Sequence, residues 1–408
     1  MIHILDKKNC CGCSACLQKC PKQCISMSQD NEGFLYPVVD MDKCIDCGMC
    51  EKVCPFLNPY EKKLPHKTLA AINKDDGIRM QSSSGGVFTV IAEQIINEGG
   101  VVFGARFDDN WQVILDYTET IEGLELFRGS KYVQASVGKT FILCDQFLRA
   151  GRKVLYTGSP CQISGLKHYL KKDYENLYTV DFVCHGVPSP KVWNKYLHEV
   201  IYDYKGLNYK SGTGKSLDLY SSNYHDVITG INFREKGVGW KKYRFVLTFA
   251  KNTCGSKKSS DLSSGHTENP YMKSFLKDFC LRPSCYDCKV KGCSSNSDMT
   301  IGDFWGIDNL MPEIDDDKGV SVVLLHNIRL SHHFESRDLI ICESTYDDAC
   351  KINTAIIKSS SPNPKRTLFF NMLDSGDRLS QIVNKLTKVS LAVRVLRKIS
   401  NFSNINGR

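Results

Sequence analysis

The sequence predicts an α+β chain, in which a short cysteine-rich module precedes an α/β body with a mixed sheet. Three observations predict it. Twenty cysteines stand in 408 residues, and eight of them form two copies of one spaced run within the first 55 positions. Beyond position 68, strand-like apolar segments alternate with helical ones, the pattern of a sheet whose strands are at least partly parallel. Between the two regions lies EKKLPHK (61–67), a polar stretch with a proline that reads as a linker.

The first run is Cys10, Cys13, Cys16 and Cys20 with Pro21 directly after; the second is Cys44, Cys47, Cys50 and Cys54 with Pro55 directly after. Both read C-x2-C-x2-C-x3-C-P. This is the bacterial ferredoxin spacing, in which three close thiolates hold one [4Fe–4S] cluster and the fourth reaches across to the other. The crossed assignment gives Cys10, Cys13, Cys16 and Cys54 to one cluster and Cys20, Cys44, Cys47 and Cys50 to the second. Two residues between ligands let a tight loop wrap a cubane corner, and Gly12 and Gly48 supply turns that other residues resist. Pairs of the C-x2-C type also bind zinc, but zinc does not explain two quartets each closed by C-P. Cys11 and Cys24 fall outside the spacing and read as spare thiols near the clusters. Ile25–Met27 and Leu35–Val39 read as short strands about a turn at Asp30–Gly33, so residues 1–60 are expected to be a dicluster ferredoxin fold. A module of that size buries little core, and its folding is expected to depend on metal.

Composition narrows the remaining classes. An apolar content of 42% is normal for a globular chain. The start, MIHILDKKNCCGC, has no apolar run of signal-peptide length, and no stretch reaches the roughly 18 apolar residues of a membrane span. A reducing cytoplasm is the expected location, where thiolates stay free to bind iron. The net charge is +8, but Arg378–Arg408 holds seven basic residues and no acidic one, leaving 8 − 7 = +1 for the rest. The body thus gives no reason to expect a nucleic-acid partner.

Along the body, Leu69–Ile72 is an expected strand, followed by Ser82-Ser83-Ser84-Gly85-Gly86. Val87, Ile91, Ile95 and Ile96 then recur near a 3.6 period, which predicts a helix stopped by Gly99 and Gly100. A Ser/Gly loop opening a helix offers backbone N–H groups to an anion; flexible glycines beside an ordinary helix cap are the plainer account. VVFGARF, KVLYT and Leu177–Val183 read as further strands. The second of these leads into Gly158-Ser159-Pro160-Cys161-Gln162 and the third into Cys184-His185-Gly186. In such sheets the loops after strand ends build the site, and Cys161 and Cys184 both sit there. INFREK and YRFVLTFAK are strand-like. SGTGKS (211–216) mimics part of a P-loop but lacks the earlier glycine, Tyr209 standing in its place, so nucleotide binding there is rejected. Residues 252–269 read as a polar loop. A helix, PYMKSFLKDF, precedes a second cysteine group, Cys280, Cys285, Cys288 and Cys293.

SSSGGVF, FRGSKYVQA, TGSPCQISGLK, DFVCHGVPSP, LRPSCYDC and SDMTIGDFWGI occur in that order. Together they resemble the family of beta subunits of coenzyme F420 hydrogenases and dehydrogenases, over roughly residues 68–330. The form with an N-terminal dicluster module resembles bacterial members found with polysaccharide-synthesis genes. The resemblance implies FAD and iron–sulfur clusters, and hence an α/β flavin-binding core over 68–360. A flavin is the expected converter between one-electron clusters and a two-electron acceptor. Its contacts are expected at Ser83, Ser84, Gly85 and Gly86, with Lys131, Gly302 and Asp303 as further candidates. The expected activity is that of an iron–sulfur flavoprotein oxidoreductase acting on an organic substrate or an F420-like carrier. The alternative is an electron-transfer subunit serving a partner enzyme.

A third [4Fe–4S] cluster is expected in the body, with two competing ligand sets. The local one is Cys280, Cys285, Cys288 and Cys293. The dispersed one is Cys161, Cys184, Cys285 and Cys288, which draws on motifs of the resembled family and is preferred; Cys161 is also a candidate redox or acid thiol beside the flavin. The tail, 361–408, is expected to carry a basic helix. Leu379, Ile382, Val383, Leu386, Val389, Val393 and Leu396 form its apolar stripe, docked on the protein's own core or lying on an anionic membrane surface. The expected partner is a redox protein or a small-molecule electron acceptor.

Overall fold

A computed structural model describes residues 1–206, 227–250, 261–334 and 337–388. The N-terminal module holds one hairpin, β1 (Ile25–Gln29) and β2 (Leu35–Val39), paired antiparallel from Ile25↔Val39 to Gln29↔Leu35. Its turn is pinned by the Asp30 carboxylate, which accepts from the Glu32 and Phe34 amides at 3.0 and 2.9 Å. Gly12 and Gly48 take left-handed conformations, φ +74° and +68°, inside the two cysteine loops. Short helices, Ala15–Lys19 and Met49–Lys52, follow.

The body is built on an eight-stranded sheet. Its strands are β3 (Lys67–Asn73), β4 (Val101–Phe107), β5 (Val113–Thr118), β6 (Val154–Gly158) and β7 (Leu177–Phe182). After β8 (Ile228–Glu235), β9 (Arg244–Phe249) and β10 (Asp261–Gly265), which form a separate sheet, come β11 (Met299–Asp303), β12 (Ser321–Leu325) and β13 (Leu339–Ser344). The spatial order is β13-β3-β12-β11-β7-β6-β4-β5. Strands β3, β4, β6, β7 and β11 run one way; β5, β12 and β13 run the other. The expected mixed sheet is therefore present. Both faces are covered: β12 is buried at all of its positions, in keeping with the apolar run Val322–Leu325. The helix Val87–Asn97 packs its Val87, Val90, Ile91 and Ile95 on one face. On the other, Phe141, Leu166 and Tyr169 of the body share one cluster with Ala15, Val53 and Phe56 of the N-terminal module.

The three-stranded antiparallel sheet β10-β9-β8 lies against the helix Pro190–Tyr204 in an aromatic core of Trp193, Phe233, Phe245 and Tyr271. Residues 261–265, expected as loop, form β10 instead. Their side chains are largely exposed and polar, so only backbone pairing from Asp261↔Thr248 to Gly265↔Arg244 makes them a strand. The SGTGKS stretch lies outside the described residues.

Helices Arg366–Asp374 and Leu379–Thr387 close the described chain. Leu379, Ile382, Val383 and Leu386 are buried in the same aromatic core, so this part of the apolar stripe docks on the protein itself. Val389, Val393 and Leu396 lie outside the described residues. Among those described, no helix is long and apolar enough to cross a membrane.

Candidate functional site

Thiols of the two runs lie close enough to act on one another. Burial, and then the neighbouring Cys10 and Cys54, push the Cys16 thiol up to about 12. Cys54 is raised by burial and then by Cys10. Cys54 of the second run thus stands among the first-run thiols. Cys20, Cys44, Cys47 and Cys50 line one small cavity with Pro21 and Ile25. The Ile2 amide donates to Cys50 Sγ at 3.2 Å, and Cys24 Sγ lies 3.4 Å from Cys20 Sγ. Among the described residues no three His, Cys, Asp or Glu side chains converge tightly enough for a single ion. A cluster spreads its ligands over several iron atoms, and the donor sets suit such a group: each is four free thiols in ferredoxin spacing.

A third gathering of thiols forms at the C-terminal edge of the large sheet. Strand β6 ends at Gly158, and Ser159 caps the helix Pro160–Leu170 reciprocally with Gln162, whose Oε1 accepts from the Ser159 amide at 2.9 Å. Cys161 therefore sits in the first turn of that helix. The parallel neighbour β7 pairs Asp181 with Gly158, so Cys184, three residues on, emerges beside Cys161. Cys285 and Cys288 return from far along the chain on the turn Pro283–Asp287. That turn is anchored by the Arg282 amide on Val187 O at 3.0 Å and the Pro188↔Leu281 bridge.

All four thiols line one small cavity, together with Cys11, Phe56 and Arg282. Burial raises Cys184 to about 12 and Cys288 to about 11. Cys161 is raised first by Cys11 and then by burial. Such a site disfavours free thiolates and suits thiolates neutralised by a metal group.

The local cysteine set is not gathered. Cys280 is fully buried in the aromatic core, its Sγ 3.5 Å from Ser274 Oγ. Cys293 contacts the Tyr346 hydroxyl at 3.6 Å and packs in the cluster of Trp240 and Phe304. Cys11, expected only as a spare thiol, stands between Cys13 of the first run and Cys161 of the body. Gly165 makes that approach feasible, since a Cβ there would lie 2.9 Å from Cys13 Sγ.

The residues expected at the flavin also collect at this edge, but most of their polar groups are engaged. Ser83 Oγ accepts from the Ser130 amide at 2.6 Å, Ser84 Oγ donates to Val320 O at 2.7 Å, and the Gly85 amide donates to Ser321 Oγ at 2.9 Å. A Cβ on Gly85 would lie 2.3 Å from Ala71 O, so this glycine serves packing inside the chain. Gly86, at φ +82°, opens the helix Val87–Asn97. Lys131 Nζ turns onto the carbonyls of Phe127, Arg128 and Gly129, and burial lowers it to about 7. Gly302 packs on Val183. Asp303 accepts from Arg234 and from Trp240 Nε1, the latter at 3.1 Å.

Arg234 is the residue that sequence reasoning missed. It is 4% exposed, and its Nε and Nη2 have no partner among the described residues. Its guanidinium lies 4.4 Å from the Tyr243 ring centroid, and Trp305 stacks on Trp240 at 4.7 Å. The unpartnered nitrogens of Arg234 are thus enclosed among aromatic faces. At the opposite edge, a polar cavity is lined by Lys167, Asp298 and His326.

Residues 151–342 match the C-terminal part of the beta subunit in the coenzyme F420 hydrogenase/dehydrogenase family, and residues 9–58 match the "4Fe-4S dicluster domain". The chain is 27% identical over 172 residues to one of the subunits of the F(420)H(2) dehydrogenase of Methanosarcina mazei, across 39% of this chain and 48% of the relative. It is 25% identical over 206 residues to the coenzyme F420-dependent sulfite reductase of Methanocaldococcus jannaschii, across 47% of this chain and 30% of the relative. The chain thus spans half or less of these relatives' length. A 7Fe ferredoxin of Hydrogenibacillus schlegelii is 36% identical over 63 residues, 15% of this chain and 74% of that protein.

Proposed function

The chain joins a 4Fe–4S dicluster domain to a domain of the family of coenzyme F420 hydrogenase/dehydrogenase beta subunits, and on that premise we propose that it is an iron–sulfur flavoprotein oxidoreductase. The C-terminal edge of the large sheet would hold the flavin, FAD, and the electron-exchanging substrate would be an organic two-electron carrier of the F420 type. When bound, the clusters supply one-electron transfer and the flavin converts between one- and two-electron chemistry.

The chain's own residues do the rest. Cys10, Cys13, Cys16 and Cys54 hold one cluster and Cys20, Cys44, Cys47 and Cys50 the second. Cys161, Cys184, Cys285 and Cys288 hold a third between module and flavin. Phe56 and the helix Pro160–Leu170 keep water from those thiolates. Arg234, oriented by Asp303, offers its two free N–H groups to the flavin nucleotide. The observation that carries this reading is the meeting of four thiols, from three separate stretches of sequence, in one cavity that also contains Cys11 of the N-terminal module.

Anaerobic purification with iron, sulfide and flavin analysis tests it. About twelve irons per chain and one flavin are expected from three quartets. About eight irons with no flavin would overturn the flavin and the third cluster together. A second reading, an electron-transfer subunit serving a partner enzyme, is favoured by the module's outer face. There Val38, Met41 and Ile45 are 51%, 62% and 58% exposed, and Cys47 is exposed as well. Oxidation of reduced F420 by the purified protein with a one-electron dye separates the two. Turnover without a partner supports the enzyme, and flavin-bound protein without turnover supports the subunit.

A further inference from the structure

Arg282 is buried completely, yet among the described residues none of its partners is a carboxylate. Its Nε donates to Cys10 O at 2.7 Å, Nη1 to Gln134 Oε1 at 3.1 Å and Nη2 to Leu35 O at 2.9 Å. Nη2 also lies 3.6 Å from Cys10 Sγ, and the guanidinium sits 4.3 Å from the Tyr36 ring centroid. The other deeply buried arginines behave differently: Arg79 is paired with Asp316 and Arg234 with Asp303. A permanently charged guanidinium taken out of water needs an anion. The thiols of Cys10, Cys11 and Cys285 lie near enough to act on its charge, and Cys11 and Cys285 line one cavity with it. Gly12 lets it come this close, because a Cβ there would lie 2.9 Å from Arg282 Nη1.

We propose that Arg282 is the counter-cation of the first-run metal group: it holds the Cys10 thiolate, favours the more negative, one-electron-reduced state, and fastens the N-terminal module to the body. This rests on the assignment of Cys10, Cys13, Cys16 and Cys54 as cluster ligands. Reduction adds one electron from a donor such as dithionite and one unit of negative charge. A fixed buried cation stabilises that added charge most strongly where water cannot screen it. Arg282 is a positioning residue, since it reaches the group through Cys10.

The test uses the anaerobically purified full chain and its Arg282→Gln, Arg282→Lys and Gln134→Glu variants. Iron content is read first, then midpoint potentials by dithionite titration followed by electron paramagnetic resonance. The first-run signal is the one missing in Cys54→Ser. Arg282→Gln is expected to disfavour reduction of that group by about tenfold, a fall of about 59 mV for one electron. Arg282→Lys, which keeps the charge, should restore most of the shift. Gln134→Glu places a carboxylate on the guanidinium and should shift the signal the same way without removing the arginine. Full iron with unchanged potentials in Arg282→Gln and Gln134→Glu overturns the proposal. If the Arg282 variants lose iron, Gln134→Glu alone decides. Absence of iron from the unaltered protein would instead overturn the cluster assignment itself.

Discussion

Cys161→Ala isolates the third thiol quartet. The side chain removed is one of the four thiols lining that cavity, and it comes from the first turn of the helix Pro160–Leu170. Alanine is the best helix former, and although Cys161 Sγ lies 3.3 Å from Ser159 Oγ, that hydroxyl and the Ser159 amide keep their bonds to Gln162 Oε1 at 3.0 and 2.9 Å, so the local fold should persist. A quartet with three thiols cannot hold its cluster in the original form. Three quartets correspond to about twelve irons, and the variant should fall to about eight, with sulfide falling in step. Cys293→Ala is the matched control. It removes only the contact to the Tyr346 hydroxyl, outside the cavity, and should keep all of its iron. The assay is iron and acid-labile sulfide per chain after anaerobic purification, with circular dichroism to verify the fold. Undiminished iron in Cys161→Ala, or a loss of about four in Cys293→Ala, would refute the reasoning.

Two further outcomes follow from charges outside the thiols. Burial holds the His326 imidazole down to about 4 from its usual 6.5. The unfolded chain therefore takes up the proton first, and stability should drop by about 3 kcal/mol as pH falls from about 6.5 to 4. His326→Gln should flatten that part of the urea-midpoint profile, and an unchanged slope counts against it. Arg366 grips Glu32 of the module's turn bidentately at 2.7 and 2.5 Å, both side chains being about one-sixth exposed. Arg366→Met should cost up to about 3 kcal/mol and speed amide exchange around Phe34; exchange as slow as in the unaltered protein would show that the pair is not a clamp.

What could be read from the sequence depended on how far apart the cooperating residues lie. The ferredoxin runs were legible because each quartet has three ligands within seven positions and the crossing rule supplies the fourth. Strands β3, β4, β6 and β7 were legible because their segments are mostly apolar; the parallel strand β11, MTIGD, was not read as one because Thr300, Gly302 and Asp303 break its apolar run, and β5, β10 and β13 escaped notice as strands at sheet edges that alternate or expose their side chains. The thiol cavity needed one more step. Cys161 and Cys184 meet only because β6 and β7 are parallel neighbours, and Cys285 and Cys288 only because the Arg282 amide and the Pro188↔Leu281 bridge turn that segment back. Nearness in sequence misleads at the same spot: Cys280 is five positions from Cys285, yet it faces the aromatic core. Arg234 and Arg282 were invisible for a different reason. An arginine in a sequence is by default a solvated charge, and only the packed chain shows Arg282 enclosed beside thiols without a carboxylate partner. Burying such a charge is justified physically when a group with the opposite charge is bound there, and the cluster proposed for Cys10, Cys13, Cys16 and Cys54 would be such a group for Arg282.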